Sequence, residues 1–169
     1  QALIQGVRTG DPAAISEFVR HYEPLIRMRL RTWIRLPHPE IRRLYDSVDI
    51  QGPGAAVISV SGNNSSRVFY LYNNVATIDV TISGLTITGG NDNIGGGVVD
   101  FDENPTLNAV TITGNHATGD GGGLWADGFS MNLHILNSNI TGNTSDDDGG
   151  GIYDEDTGGR LLIQNTGGS

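Results

Sequence analysis

Cysteine and lysine are both missing from the 169 residues, and methionine and tryptophan occur twice each. Without thiols, neither a disulfide framework nor a thiolate metal centre is open to this chain. The four histidines, at 21, 38, 116 and 134, lack the i, i+4 spacing that sets two imidazoles on one helical face, which excludes the common zinc-hydrolase arrangement. Long apolar runs are also missing: no window approaches the roughly 18 residues of a spanning helix, so no membrane span is expected. The opening Gln1-Ala2-Leu3-Ile4 has no basic leader and no small-residue cleavage site. A chain that opens on Gln rather than Met is expected to be a fragment.

Charge and glycine are unevenly spread. Residues 1–50 hold eight Arg against six acidic residues, two Gly and no Asn. Residues 51–169 hold only Arg67 and Arg160 against thirteen acidic residues, with 23 Gly and 14 Asn. A break of this kind marks a change of physical regime. It falls at Gln51-Gly52-Pro53-Gly54 and divides the chain into a segment 1–51 and a second domain 52–169.

The first segment reads as helical. Asp11-Pro12-Ala13-Ala14 is a helix start, because Asp accepts from free N–H groups and Pro at the first helical position loses no hydrogen bond. Ile15, Phe18, Val19 and Tyr22 then lie on one face. A second helix is expected from Pro24 through Ile34, with Arg27, Arg29, Arg31 and Arg35 between its apolar residues, and a third from Pro39 to about Leu44. The run from Gly10 to Arg27, with Gly10-Asp11-Pro12-Ala13-Ala14 and Phe18-Val19-Arg20-His21-Tyr22-Glu23-Pro24, resembles the start of region 2 of extracytoplasmic-function sigma factors. Arg42 to Gln51 resembles the acidic element that follows it. That resemblance implies docking on RNA polymerase in transcription initiation, with Asp46 and Asp49 as contacts, in the cytoplasm. It covers about 50 residues; the promoter-melting and promoter-reading elements of those factors do not follow Gln51.

The second domain repeats. Gly-Gly-Gly recurs at 95–97, 121–123 and 149–151, and Ile-Thr-Gly at 87–89, 112–114 and 140–142. Aligning the units gives the columns Ile82, Leu107, Ile135, Ile163; Leu85, Val110, Ser138, Thr166; Ile87, Ile112, Ile140; and Val98, Leu124, Ile152. Spacing of two within a unit is strand periodicity. Short strands, glycine corners and a period of 25 to 28 residues predict a mainly β fold: a truncated right-handed parallel β-helix of about four coils, preceded by a short helical segment. The expected coils are about 80–104, 105–132 and 133–160, with a looser one at 55–79 carrying Val57, Val60, Val68 and Leu71, and a broken one after. Asn115 is expected above Asn143, and Asn137 above Asn165, as amide ladders at the bends.

Gly84-Leu85-Thr86-Ile87-Thr88-Gly89-Gly90, the Gly-Gly-Gly corners and the L-x-I-x-N-S-x-I-T-G-N of Leu133–Asn143 resemble the β-helix repeats of bacterial surface proteins, including polymorphic outer-membrane protein repeats. The resemblance spans about 115 residues. It implies a surface or secreted module with a structural, adhesive or carbohydrate-binding role, whose partners are a surface ligand, a polysaccharide or, through open coil ends, another copy.

Enzymes on such a scaffold are polysaccharide lyases and hydrolases, which need paired carboxylates or a base beside calcium. The Gly-His-Gly and Arg-x-Lys sets of polygalacturonases are missing, and Asp100 and Asp154 share a repeat position interrupted by Ala126. No catalytic residue is therefore assigned and no cofactor is required. Asp146, Asp147, Asp148, Asp154 and Asp156 flank one glycine corner as candidate calcium ligands, an oxygen-rich set that also serves to keep loops solvated. Trp125 and Tyr153 share one repeat position, where aromatic rings can stack on sugars.

Overall fold

The computed structural model describes residues 27–30, 47–73, 77–129, 132–155 and 157–166. The expected helices from Asp11 and Pro39, the stretch 10–26 that carries most of the sigma-factor resemblance, and Asp46 and Asp156 lie outside the described residues.

The second expected helix is corrected in part. Arg27–Leu30 is a strand, β1, antiparallel to β2 (Ser47–Gln51), with Arg27 opposite Gln51 and Leu30 opposite Val48. Arg-Met-Arg-Leu alternates with period two as well as fitting a helix, and a ready strand edge in β2 decides between the two readings. Strand β2 itself pairs in parallel with β5 (Asp79–Ser83), Val48 opposite Val80 and Ile50 opposite Ile82, so the first coil begins on the Arg-rich side of the composition break.

The chain is a parallel β-solenoid of about four turns. The first turn holds β2, β3 (Ser59–Ser61) and β4 (Phe69–Tyr72). The second holds β5, β6 (Thr86–Thr88), β7 (Asn91–Asp92) and β8 (Val98–Phe101). The third repeats this as β9 (Asn104–Asn108), β10 (Thr111–Thr113), β11 (His116–Ala117) and β12 (Leu124–Asp127). The fourth consists of β13 (Asn132–Leu136), β14 (Asn139–Thr141), β15 (Thr144–Ser145) and β16 (Ile152–Asp154), after which β17 (Arg160–Gln164) returns to the first side. Equivalent strands stack into four sheets whose contacts beyond β1 are all parallel.

The aliphatic columns fall where the repeat puts them. Ile50, Ile82, Leu107, Ile135 and Ile163 are successive partners, as are Val60, Ile87, Ile112 and Ile140, and Phe69, Val98, Leu124 and Ile152. Ile82, Ile87, Leu107, Ile112 and Leu124 are wholly buried. Val57, by contrast, is 66% exposed and takes no part in the core; it lies in a turn closed by its own N–H to the Gly54 carbonyl. Ser138 fits an otherwise aliphatic column because its hydroxyl accepts from the Val110 N–H (3.1 Å) and donates to the Leu136 carbonyl (2.7 Å), leaving no polar atom unpaired.

The bends are closed by asparagine. Asn115 Nδ2 donates to the carbonyl of Ile87 (3.1 Å) and to Asn143 Oδ1 (2.9 Å), while its Oδ1 accepts from the Gly90 N–H (2.8 Å). Asn143 repeats the device one turn on, donating to the Ile112 carbonyl (2.9 Å). At the second bend the expected Asn137–Asn165 amide pair is not made, and Asn137 pairs with Asn108 instead. Asn137 donates to Asn108 Oδ1 (3.1 Å) and accepts from Thr166 (2.6 Å), and Asn165 accepts from the Ser138 N–H (3.1 Å). The backbone at Asn137 is left-handed (φ 50°), which turns its side chain to the neighbouring column. Asn115→Ala strips partners from the buried Gly90 N–H and Ile87 carbonyl. Urea unfolding should show a loss of about 1–3 kcal/mol, and a smaller one for the more exposed Asn143→Ala.

Candidate functional site

The glycine corners decide what each turn can present. Gly97, Gly122 and Gly123 sit directly over the next turn, with the N–H of Gly97 donating to Gly122 (3.1 Å) and that of Gly123 to Gly150 (3.1 Å). A Cβ on Gly122 would stand 2.0 Å from the Thr144 carbonyl oxygen. Corners this tight push the preceding loop outward, and the loops of successive turns stack as the strands do.

Those loops bring acids together. Asp120, Asp147 and Asp148 converge with carboxylate oxygens within 4.8 Å of one another, and the Asp148 N–H donates to Asp120 Oδ1 (2.9 Å). Asp146 points elsewhere, 3.7 Å from His116 Nε2. His116 stands on β11, with its Nδ1 3.1 Å from Thr144 Oγ1. Asp154 ends β16 opposite Ala126, away from the trio. Of the four candidate calcium ligands among the described residues, the structure therefore groups Asp147 and Asp148, and adds Asp120. The signal for Asp120 is the repeat itself: it precedes Gly121 as Asp148 precedes Gly149. Three carboxylates offer hard oxygen ligands, and they also charge the rim of the solenoid. The hydroxyl of Tyr153 lies in the same field, and Glu155 first, then Asp120, raise its pKa above the ordinary phenol value. Asp49 lies on β2 opposite Thr81.

A second surface is aromatic. In Phe69-Tyr70-Leu71-Tyr72 the period of two sends Phe69 and Leu71 to the core and Tyr70 and Tyr72 to the outside, 52% and 56% exposed. Phe101 on β8 meets both tyrosines edge-on, with centroids 5.9 and 6.3 Å away. Trp125 packs against Phe101 from the next turn, with ring centroids 4.7 Å apart and planes tilted by 57°. Arg67 lies 5.1 Å over the Tyr70 ring, held by Asp92 at 2.9 Å. That guanidinium and the Asn93 N–H hold the Asp92 carboxyl below the usual carboxylate range.

Trp125 and Tyr153 are partners in the register, as their shared repeat position predicts. Trp125 is 6% exposed, so its ring backs the aromatic cluster instead of forming its surface. The exposed rings are Tyr70 and Tyr72, which sequence reading missed. The alternation of residues 69–72 carried the signal, in the turn whose repeat is least regular.

The geometry of the third and fourth turns has a sequence counterpart. Residues 109–127 and 137–155 each match the Chlamydia polymorphic membrane protein repeat. Each match of the polymorphic membrane protein repeat starts at the left-handed bend (Ala109, Asn137), crosses the Ile-Thr-Gly-Asn strand end and the glycine corner, and ends at or one residue past the end of the strand that follows. Register places residues 84–101 at the positions of the first match, with Gly90 in place of the bend asparagine and Asp100 in place of Ala126. No curated protein and no solved structure matches the chain.

Proposed function

We propose that this chain is a non-catalytic repeat module of a bacterial surface protein, which uses its solenoid as a rigid rod and its aromatic sheet face to bind a neutral polysaccharide. The observation that carries the reading is the Tyr70–Tyr72–Phe101 cluster, whose two tyrosines are exposed on the outside of a scaffold that matches the polymorphic membrane protein repeat twice. Flat rings offer apolar faces to the C–H faces of sugars, and the polar edge of Tyr supplies a hydroxyl. The net charge of −9 repels polyanions, which favours an uncharged glycan. Among the described residues the carboxyl raised furthest by burial, Asp100, is wholly buried and out of reach of a polymer, which supports binding without bond cleavage. Placement at the cell surface rests on the repeat family, and no described helix is long and apolar enough to cross a membrane.

Titration with β-linked glucan and xylan oligosaccharides tests this. Tyr70→Ala with Tyr72→Ala is expected to weaken binding about tenfold or more, near 1.4 kcal/mol, while Phe129→Ala, exposed but outside the cluster, leaves it unchanged. Equal losses from both variants, or release of reducing ends on incubation, would count against the reading.

A further inference from the structure

Asp100 and Glu103 are wholly buried, at 0% exposure, in a solenoid interior that is mostly aliphatic. Asp100 occupies a core column between Leu71 of β4 and Ala126 of β12. Neither of its carboxyl oxygens has a hydrogen-bond partner, and Glu103 Oε1 has none either. Glu103 Oε2 accepts from the Ile78 N–H at 2.6 Å, reaching from the corner of the second turn to the link that ends the first. Glu103 thus ties the seam between the first two turns, and Asp100 lies beside it in the second turn, stacked against the first through Leu71 and against the third through Ala126.

The charged groups acting on these carboxyls are all acidic, and only backbone N–H groups act the other way, that of Glu103 on Asp100 and those of Ile78 and Asn73 on Glu103. Glu103, Asp102 and Asp154 face Asp100, and Asp102 faces Glu103. The packed strands β4 and β12 bring Leu71 and Ala126, which carry no charge. Arg67 is engaged by Asp92, and the chain has no lysine. An ionised carboxyl buried here meets no counter-ion among the described residues, whereas a protonated one needs none.

We propose that Asp100 and Glu103 form a proton-operated latch: while they hold their protons the first turn stays seated on the second, and when they ionise the seam between β4 and β8 loosens. Burial, reinforced by the charge of Glu103, pushes Asp100 up to about 8, and burial raises Glu103 as well. An unfolded Asp loses its proton near pH 4, so the folded chain holds a proton that the unfolded chain has given up. Stability is therefore full below about pH 4 as far as this group is concerned, and falls as pH rises toward about 8, the unfolding constant growing by up to tenfold per pH unit.

The test is urea unfolding of the whole chain at about pH 5, 7 and 9, with hydrogen exchange to locate the loosening. The wild type is expected to lose stability as pH rises, with exchange quickening first in β4 and β8 and last in β13. In Asp100→Asn the pH dependence should shrink by about one proton. Asp100→Val, which continues the apolar column, serves the same comparison if the amide does not fold. Should neither variant fold, the carboxyl carbon of Asp100 followed by NMR in the wild type is expected to titrate above about pH 6. A midpoint near pH 4, or an unchanged pH dependence in the variants, would overturn the latch. So would millimolar calcium restoring stability at about pH 9 in the wild type alone, since the oxygens would then be seating a cation.

Discussion

Gly90→Ala is expected to prevent stable folding of the second turn. A Cβ at this position would lie 1.7 Å from the carbonyl oxygen of Gly96 and 2.5 Å from its carbonyl carbon, both backbone atoms of the corner that the chain reaches six residues later. Neither can swing aside as a side chain would. Gly96 is itself clamped, its own added Cβ standing 2.2 Å from the His116 carbonyl oxygen of the third turn. Relief therefore requires the corner to lift off its neighbour, with loss of the N–H donated by Gly97 to Gly122 and by Val98 to Gly123. The expected destabilisation is more than about 4 kcal/mol, in the range where backbone overpacking unfolds small domains. Gly114→Ala is the control. It has a left-handed backbone (φ 64°) but its nearest neighbour is a side-chain oxygen at 3.4 Å, so only the conformational term of about 1–2 kcal/mol applies. Thermal unfolding followed by far-ultraviolet circular dichroism measures both.

Ile112→Ala is expected to cost about 2–5 kcal/mol, the largest loss of any single aliphatic truncation in its column. Ile112 is wholly buried, flanked by Ile87 on one side and Ile140 on the other, both fixed by strand pairing. A cavity there cannot collapse, because the stacked backbones keep the turns at their hydrogen-bonded separation whatever lies between them. Ile140 is only half-buried, so Ile140→Ala should lose about half as much or less. Equal losses at the two positions in urea titrations would show that the column does not pack as a stack.

The columns were legible in the sequence because a solenoid turns its period into geometry. Once Ile87, Ile112 and Ile140 are aligned, each position of the unit meets the same position above and below. The same logic found the Asn115–Asn143 ladder, whose residues hold one place in the unit. It failed at Asn137, because a left-handed bend sends a side chain off its own column. Asp100 was illegible for a different reason. The repeat aligned Asp100 with Ala126 and Asp154 as one of many candidate carboxylates, and only its stacking between Leu71 and Ala126 shows that it points into the core. Position alone misjudged Trp125 too, since its burial depends on Phe101, the residue two past its own register partner Val99. The acidic trio crosses turns, so a contiguous run such as Asp146-Asp147-Asp148 shows two of its members and hides Asp120.

Methyl-labelled NMR of the isoleucines measures the stacking of turns directly. The expected result is a pair of nuclear Overhauser cross-peaks from Ile112 to Ile87 and to Ile140, residues 25 and 28 positions away, with no cross-peak between Ile87 and Ile140. Cross-peaks from Ile112 confined to its sequence neighbours, or a direct Ile87–Ile140 contact, would contradict an in-register parallel solenoid.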